Sequence, residues 1–297
     1  MSIPIKSVIL EAPDCGGKST LYKELHKATN FKYNIHDRSS LSMLCYARLY
    51  ERDYEQHRQH LVNELCDINI FHVMLMPPLD VIMNRYHARG DEFQNESSLK
   101  RVYDIFSEEV AAIGTLPNVR VIYDYPPPAV LARQVSTSIE LYSSSTAGQV
   151  FKHASSWSKL SQQNEVQLAG IFEVDLEAED GEIFNDLKEG EYYLSIYQDC
   201  LAIVDSEKRG QNLYCAQQGK NSRRFFYNSD TCISSIHFLP RDNTFKVIVN
   251  LRSTDSVKNG SIDMEFLETL SRRMHKHVGY DTTRILLDVR FNSLHIR

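Results

Sequence analysis

Residues 8–25, VILEAPDCGGKSTLYKEL, constrain the fold of this chain more than any other stretch. A short apolar run leads into a turn, then Gly-Gly-Lys-Ser-Thr, then a segment patterned as helix. That order predicts a buried strand over 4–10, a tight loop, and a helix over 18–29. Such a loop turns successive backbone N–H groups and a helix N-terminus toward one point, which makes a concavity for phosphate. The pattern G-x-x-x-x-G-K-[ST] is met except at its first position, where Ala12 stands. Alanine is the smallest replacement for that glycine, and Gly16 and Gly17 remain to supply curvature.

Phosphate chemistry assigns roles within this loop. Ala12, Pro13, Asp14, Cys15, Gly16, Gly17, Lys18, Ser19 and Thr20 form the expected ATP-binding segment. Lys18 is expected to reach the β- and γ-phosphates, and Ser19 to hold Mg²⁺. Further along, "YNIHDRSS" (33–40) reads as a strand that ends in Asp37-Arg38, and 41–66 carries helical patterning. "INIFHVMLM" (68–76) is a strand stopped by Pro77-Pro78. Helices are expected across "LDVIMNRYHARGDE" and over 97–113. "NVRVIYDYPPP" (118–128) reads as a further strand with a proline stop, and 130–142 as a helix. Alternating strands and helices imply an α/β fold, with helices on both faces of a parallel sheet. A carboxylate and a guanidinium at a strand end beside such a loop suit metal binding and charge neutralisation in phosphoryl transfer.

These motifs resemble those of thymidylate kinases and related deoxynucleoside monophosphate kinases. Their loop runs E-G-x-D-G-x-G-K-S-T, and residues 11–20 read E-A-P-D-C-G-G-K-S-T, with Ala12 and Cys15 in place of two glycines. "IHDRSSLSMLCYARLY" is similar to the family's Asp-Arg motif. The resemblance implies Asp37 near Mg²⁺ and Arg38 holding the acceptor. "RYHARGDE" (85–92) resembles the family's lid, in which Arg85 and Arg89 would close over ATP from one helix face. Catalysis is then expected from Lys18, Asp37, Arg38, Arg85 and Arg89, with Ser19 and Asp37 at the metal. Only about seventeen residues lead from Thr20 to Asp37. Typical thymidylate kinases place there an extra strand and helix that enclose the acceptor monophosphate.

The texture changes after "LYSSSTAGQ" (141–149), the expected linker between a P-loop kinase domain over 1–143 and a second domain over 150–297. Runs such as "VQLAGIFEVDL", "EYYLSIY", "CLAIVDS", "CISSIHFL", "FKVIVNLRS" and "RILLDVRF" read as strands, with one helix at about 262–277. An α+β domain is expected. Its end resembles the nucleotide-binding half of thymidylate synthase and the pyrimidine hydroxymethylases. Arg252, Ser253 and Asp255 match R-S-x-D, whose Arg and Ser grip phosphate in that family. Asp263 falls on its base-recognising asparagine, Arg223 and Arg224 on the pair that reaches a partner subunit, and His295 on the sugar-binding H-x-Y. A homodimer through this domain is implied. Cys232 falls on the catalytic cysteine but lacks its Pro and His neighbours, so methyl-transfer chemistry is not expected. His275 and His277 read as a basic helix end that complements the dipole.

Composition narrows the partners. The chain of 297 residues carries a net charge of −6, so nucleic-acid binding would need a local basic groove. Its six cysteines form no C-x-x-C pair, which points to free thiols and away from zinc. No apolar run reaches the roughly eighteen residues of a membrane span, and no signal-peptide layout opens the chain, so a cytoplasmic protein is expected. Both resemblances concern thymidine-type nucleotides. Within the kinase family, a phage subgroup phosphorylates 5-hydroxymethyluracil in DNA, and an opened acceptor site fits that activity. A free deoxynucleoside monophosphate such as dTMP is the alternative acceptor, and a non-enzymatic nucleotide-sensing regulator the further one.

Overall fold

A computed structural model gives the architecture and describes residues 1–90, 94–151, 156–157, 165–178, 190–218, 225–241, 243–255, 258–279 and 282–295. The chain forms two compact units. One comprises Ile5–Ser144 with Ser155–Gln163, and the other comprises Met1–Pro4, Ser145–Ala154 and Asn164–Arg297. These bounds differ from a simple cut in the linker. Ser2 forms an antiparallel bridge to Glu173, which places the first four residues in the second unit. The Trp157 indole is buried and donates to the Leu65 carbonyl at 3.0 Å, within the first unit.

The first unit is mixed α/β. Its four strands, β1 (Ser7–Glu11), β2 (Asn34–Asp37), β3 (Ile70–Leu75) and β4 (Val119–Ile122), form a wholly parallel sheet in the order β2-β1-β3-β4. Val8, Leu10, Val73 and Leu75 are buried, as continuous apolar runs in a doubly covered sheet should be. From β1 the chain steps to β2 on one side and then crosses to β3 on the other. That reversal opens a crevice at the carboxyl ends of β1 and β3, where open parallel sheets bind ligands.

The helices are α1 (Lys18–Ala28), α2 (Ser40–Leu49), α3 (Glu55–Leu65), α4 (Leu79–Arg89), α5 (Glu96–Ile113) and α6 (Pro128–Ser143). The helical pattern over 41–66 resolves into two helices, because Glu51 takes φ 52 and breaks the run between α2 and α3. The Asp53 carboxylate then accepts the Glu55 N–H at 3.1 Å and starts α3. The expected strand over 118–128 is shorter: β4 stops at Ile122, and Tyr123–Pro127 run on as loop.

The second unit is also mixed. A short helix α7 (Ala147–Phe151) precedes β5 (Glu165–Val174), α8 (Gly190–Gln218), β6 (Phe225–Asn228) and β7 (Ile233–Arg241). After these come β8 (Thr244–Leu251), β9 (Thr254–Asp255), α9 (Gly260–Val278) and β10 (Arg284–His295). The sheet order is β5-β10-β8-β7-β6, with β9 paired to β10. One expectation is overturned. "EYYLSIY" and "CLAIVDS" are not strands but parts of the 29-residue helix α8. Among the residues whose burial is described, Tyr193, Ile196, Cys200 and Val204 are buried, and steps of three, four and four put them on one helix face. Composition suggested strand, and spacing decides for helix. Among the described residues, no helix is long and apolar enough to cross a membrane.

Candidate phosphate site

The loop after β1 builds the site by backbone geometry first. Gly17 caps α1 with φ 101, a conformation that suits glycine and turns the chain into the helix. Cys15 takes φ 60, the left-handed region that an L side chain enters at a cost, at the position where the resembling kinases have glycine. The Gly16 N–H donates to the Pro13 carbonyl at 3.1 Å and closes the turn.

Lys18 opens α1 and is buried, with Nζ donating to the carbonyls of Ala12 at 2.7 Å and Pro13 at 3.4 Å. Burial, followed by the positive charge of Arg38, pulls its pKa below the usual lysine value. Ser19 Oγ donates to the Asp37 carboxylate at 3.2 Å, which joins the start of α1 to the end of β2. Arg38 holds φ 78, fixed by its N–H on the Leu10 carbonyl at 3.0 Å. A strained backbone at a strand end is a feature of ligand-clamping positions. Its guanidinium pairs with Asp14 and lies 5.7 Å from the Tyr46 ring centroid.

Asp14 therefore turns toward α2 and the start of α5. Besides Arg38 it accepts from the Tyr46 hydroxyl at 2.6 Å and the Gln94 amide at 2.5 Å. Burial, then the hydrogen bond to Asp14, raises the Tyr46 pKa and keeps the phenol protonated. From α4, Arg85 donates to the Cys15 carbonyl at 3.1 Å, and its guanidinium lies 5.9 Å from the Tyr125 ring centroid. Arg89, exposed at the end of α4, lines the same cavity.

These residues surround one cavity of about 760 Å³ at the carboxyl ends of the strands. The loop from Asp14 to Thr20, Asp37, Arg38, Arg85 and Arg89 form one side. Tyr125, the Pro126–Pro128 run and Leu131 form an apolar wall, where the sequence reads as the end of a strand, a proline stop and the start of a helix. The signal for it was available: the run follows a strand at the sheet's ligand-binding edge.

Glu11, the first residue of the loop match, takes a role that the motif alone does not assign. It is buried at the end of β1 and accepts the N–H groups of Ser39 at 2.7 Å and Ser42 at 3.1 Å, together with the Ser42 hydroxyl. Glu64 accepts the Ser39 hydroxyl and, at 3.3 Å, the Ser40 N–H. Two carboxyl groups thus satisfy the N-terminus of α2, the helix that follows Arg38, through their acceptor oxygens.

The donor set suits a hard cation of modest protein ligation. Among the described residues, no group of three His, Cys, Asp or Glu side chains could hold a metal. One hydroxyl and one carboxylate in contact, Ser19 and Asp37, match the way Mg²⁺ is held beside substrate phosphates.

The residues singled out in the second unit divide. Arg252 is exposed and donates to the Asp230 carbonyl at 2.5 Å, while its N–H donates to the Cys232 carbonyl at 2.8 Å. Asp255 accepts the Lys258 N–H at 3.0 Å, and His295 pairs with it in register across β9 and β10. Ser253 is half-buried between them in sequence. Asp263 is buried, accepting the Tyr193 hydroxyl at 2.7 Å and the Thr254 hydroxyl at 3.2 Å, so both of its oxygens are engaged inside the fold. Arg223 and Arg224 lie outside the described residues.

No family model matches the chain, and none of the curated proteins matches it. Among solved structures, it is similar to the YorR protein of Bacillus subtilis, crystallised in complex with phosphorylated GDP. The identity is 20%, the match covers 46% of this chain and 96% of that one, and the TM-score is 0.39. A likeness of that degree carries no argument about ligand or activity.

Proposed function

We propose that the chain is a nucleotide-dependent phosphotransferase, which takes the γ-phosphate of ATP at the Lys18 loop and gives it to a thymidine-type acceptor. The observation that supports this reading is convergence: Lys18, the Ser19–Asp37 pair, Arg38 and Arg85 border one cavity beside a helix N-terminus. Phosphoryl transfer asks the protein for positioning and charge stabilisation more than covalent chemistry, and these groups supply both. Lys18 neutralises the transferring phosphates, and the loop N–H groups orient them. Arg38, strained and tied to Asp14, stands where an acceptor approaches. Arg85 closes over the donor from α4, with Tyr125 and the proline run as the apolar wall for its base. Mg²⁺ held by Ser19 and Asp37 would offset negative charge on the phosphate oxygens.

For the acceptor, the finer reading is the hydroxymethyl group of 5-hydroxymethyldeoxyuridine in phage DNA. It is supported by the direct passage from α1 to β2, which leaves out the usual monophosphate enclosure. In duplex DNA the base must leave the stack, at a cost of a few kcal/mol. The second reading, a deoxynucleoside monophosphate kinase, is favoured by the net charge of −6. The second unit, through Arg252, Ser253 and Asp255, is proposed as a pyrimidine-nucleotide or DNA-strand module.

Transfer of label from γ-labelled ATP onto parallel acceptors tests the reading: dTMP, other deoxynucleoside monophosphates, and DNA with and without hydroxymethyluracil. Label on modified DNA alone supports the first reading, and label on dTMP alone supports the second. ATP binding without transfer to any of them would favour a nucleotide-sensing regulator.

A further inference from the structure

Beginning at Arg38, a row of rings and guanidiniums leads away from the cavity along α2. The Arg38 guanidinium lies over Tyr46, and the Tyr46 and Tyr50 rings stand 6.5 Å apart with planes 24° from parallel. The Arg52 guanidinium lies 5.3 Å from the Tyr50 centroid, and that of Arg58 lies 5.8 Å from Tyr54. Positions 46 and 50 are one helical turn apart, so both rings project from the same face. Tyr50 is 49% exposed, Tyr54 39% and Met43 58%. Most of the charges nearby are already committed. Arg48 pairs with Glu108 and Glu109, Arg58 with Glu109, and Arg101 with Glu51. Asp53 and Glu55 are exposed and form no ion pair among the described residues. Arg52 forms no ion pair among the described residues.

We infer that this strip, Tyr50 and Arg52 above all, is a track for a single-stranded polynucleotide leading to the phosphoryl-transfer site. The inference rests on the nucleotide reading of the Lys18 site and deepens it, because it specifies a strand rather than a free mononucleotide as acceptor. Partly exposed tyrosine rings beside guanidiniums offer what unstacked bases and their phosphates require, once a base displaces the guanidinium from a ring: rings stack on any base, and arginine meets the backbone. A free monophosphate held at Arg38 would be satisfied by the first ring and would make no use of Tyr50, Arg52 or Tyr54. With few uncommitted cations, the track holds its strand more by stacking than by charge, which is compatible with an acidic protein.

The test is anisotropy of a short labelled oligo(dT) strand, with binding of a fluorescent ATP analogue followed in parallel. Tyr50→Ala should weaken oligo(dT) binding about 5- to 100-fold, whereas Tyr50→Phe keeps the ring and keeps the affinity. Arg52→Ala, at an exposed position where folding is not at risk, should weaken binding and reduce the log–log salt slope by about 0.7. ATP binding should be unchanged in all three variants. Failure of wild type to bind oligo(dT), or unchanged binding in both Tyr50→Ala and Arg52→Ala, overturns the track. So does a result in which Tyr50→Ala instead abolishes self-association, because the strip would then be a protein interface. The Lys18 reading fails separately, if Lys18→Ala binds the ATP analogue as wild type does.

Discussion

The Ala12 methyl group occupies the space that a side chain at position 16 would need. A Cβ built on Gly16 would stand 2.6 Å from the Ala12 Cβ and 2.9 Å from the Pro13 carbonyl oxygen. Position 16 is unrestricted in the general loop pattern, but here the Ala12 methyl and the Pro13 carbonyl together leave room only for glycine. Gly16→Ala should therefore destabilise the protein by about 1–3 kcal/mol and impair ATP binding. Adding Ala12→Gly should recover part of the loss but not all, since the Pro13 carbonyl remains. Melting temperatures of the two single variants and the double variant measure that coupling.

Cys15 supplies the second loop prediction. Its φ of 60 costs an L residue energy that glycine avoids, partly offset by the greater freedom of glycine in the unfolded chain. Cys15→Gly should leave stability unchanged or raise it by up to about 1 kcal/mol, whereas Cys15→Val should lower it by more than about 1 kcal/mol. Denaturant midpoints decide between this and a loop that relaxes around any residue.

Arg38 is expected to act on the transferring group rather than on the donor. Arg38→Ala should reduce turnover about 100-fold or more while ATP affinity changes only a few-fold. Lysine should not restore it, because the pairing with Asp14 and the placement over Tyr46 both use a planar guanidinium. Equal losses of turnover and ATP affinity would put Arg38 in the donor site.

Glu11 gives a pH dependence. Burial pushes its carboxyl up to about 7 against the hydrogen bonds from Ser42 and Ser39, from an ordinary value of 4.5. Between those two values the folded state keeps a proton that the unfolded chain has released. Stability should therefore fall as pH rises through that window and level off above it. Glu11→Gln cannot titrate and should flatten the profile. Thermal melts of both proteins across the window give the difference directly.

Asp263 is engaged inside the fold on both oxygens, which predicts a structural role. With the Tyr193 and Thr254 hydroxyls on its two oxygens, Asp263→Ala should cost about 1–3 kcal/mol of stability and leave phosphoryl transfer by the folded protein intact. Lost acceptor binding at unchanged melting temperature would return Asp263 to a base-recognising role.

Legibility in the sequence followed the range of the interactions. Strand β1, its loop and α1 are written in consecutive residues, and so is the Asp37-Arg38 strand end. Their juxtaposition, with Ser19 3.2 Å from Asp37, follows from parallel pairing of β1 with β2. Helix α8 reads as strand in composition because Tyr193, Ile196 and Val204 are strand-favouring residues, and only their spacing identifies the helix. Glu11 in contact with Ser39 and Ser42, and Tyr125 beside Arg85, join residues tens of positions apart with no local pattern to announce them. The left-handed backbone at Cys15 was equally hidden, because the residue type argues against the conformation it takes.

The bridge from Ser2 to Glu173 has a consequence for how the chain is made and cut. A segment synthesised early must wait for a partner made about 170 residues later, after the whole intervening α/β unit. Contacts of such sequence separation form slowly, so the second unit should complete last, by a kinetic step set by chain topology. Cleavage in 141–149 alone would not release two intact halves, because the downstream fragment would lack the residues that pair with Glu173. A separable downstream fragment would need residues 1–4 returned to it, for instance by a permuted order of segments.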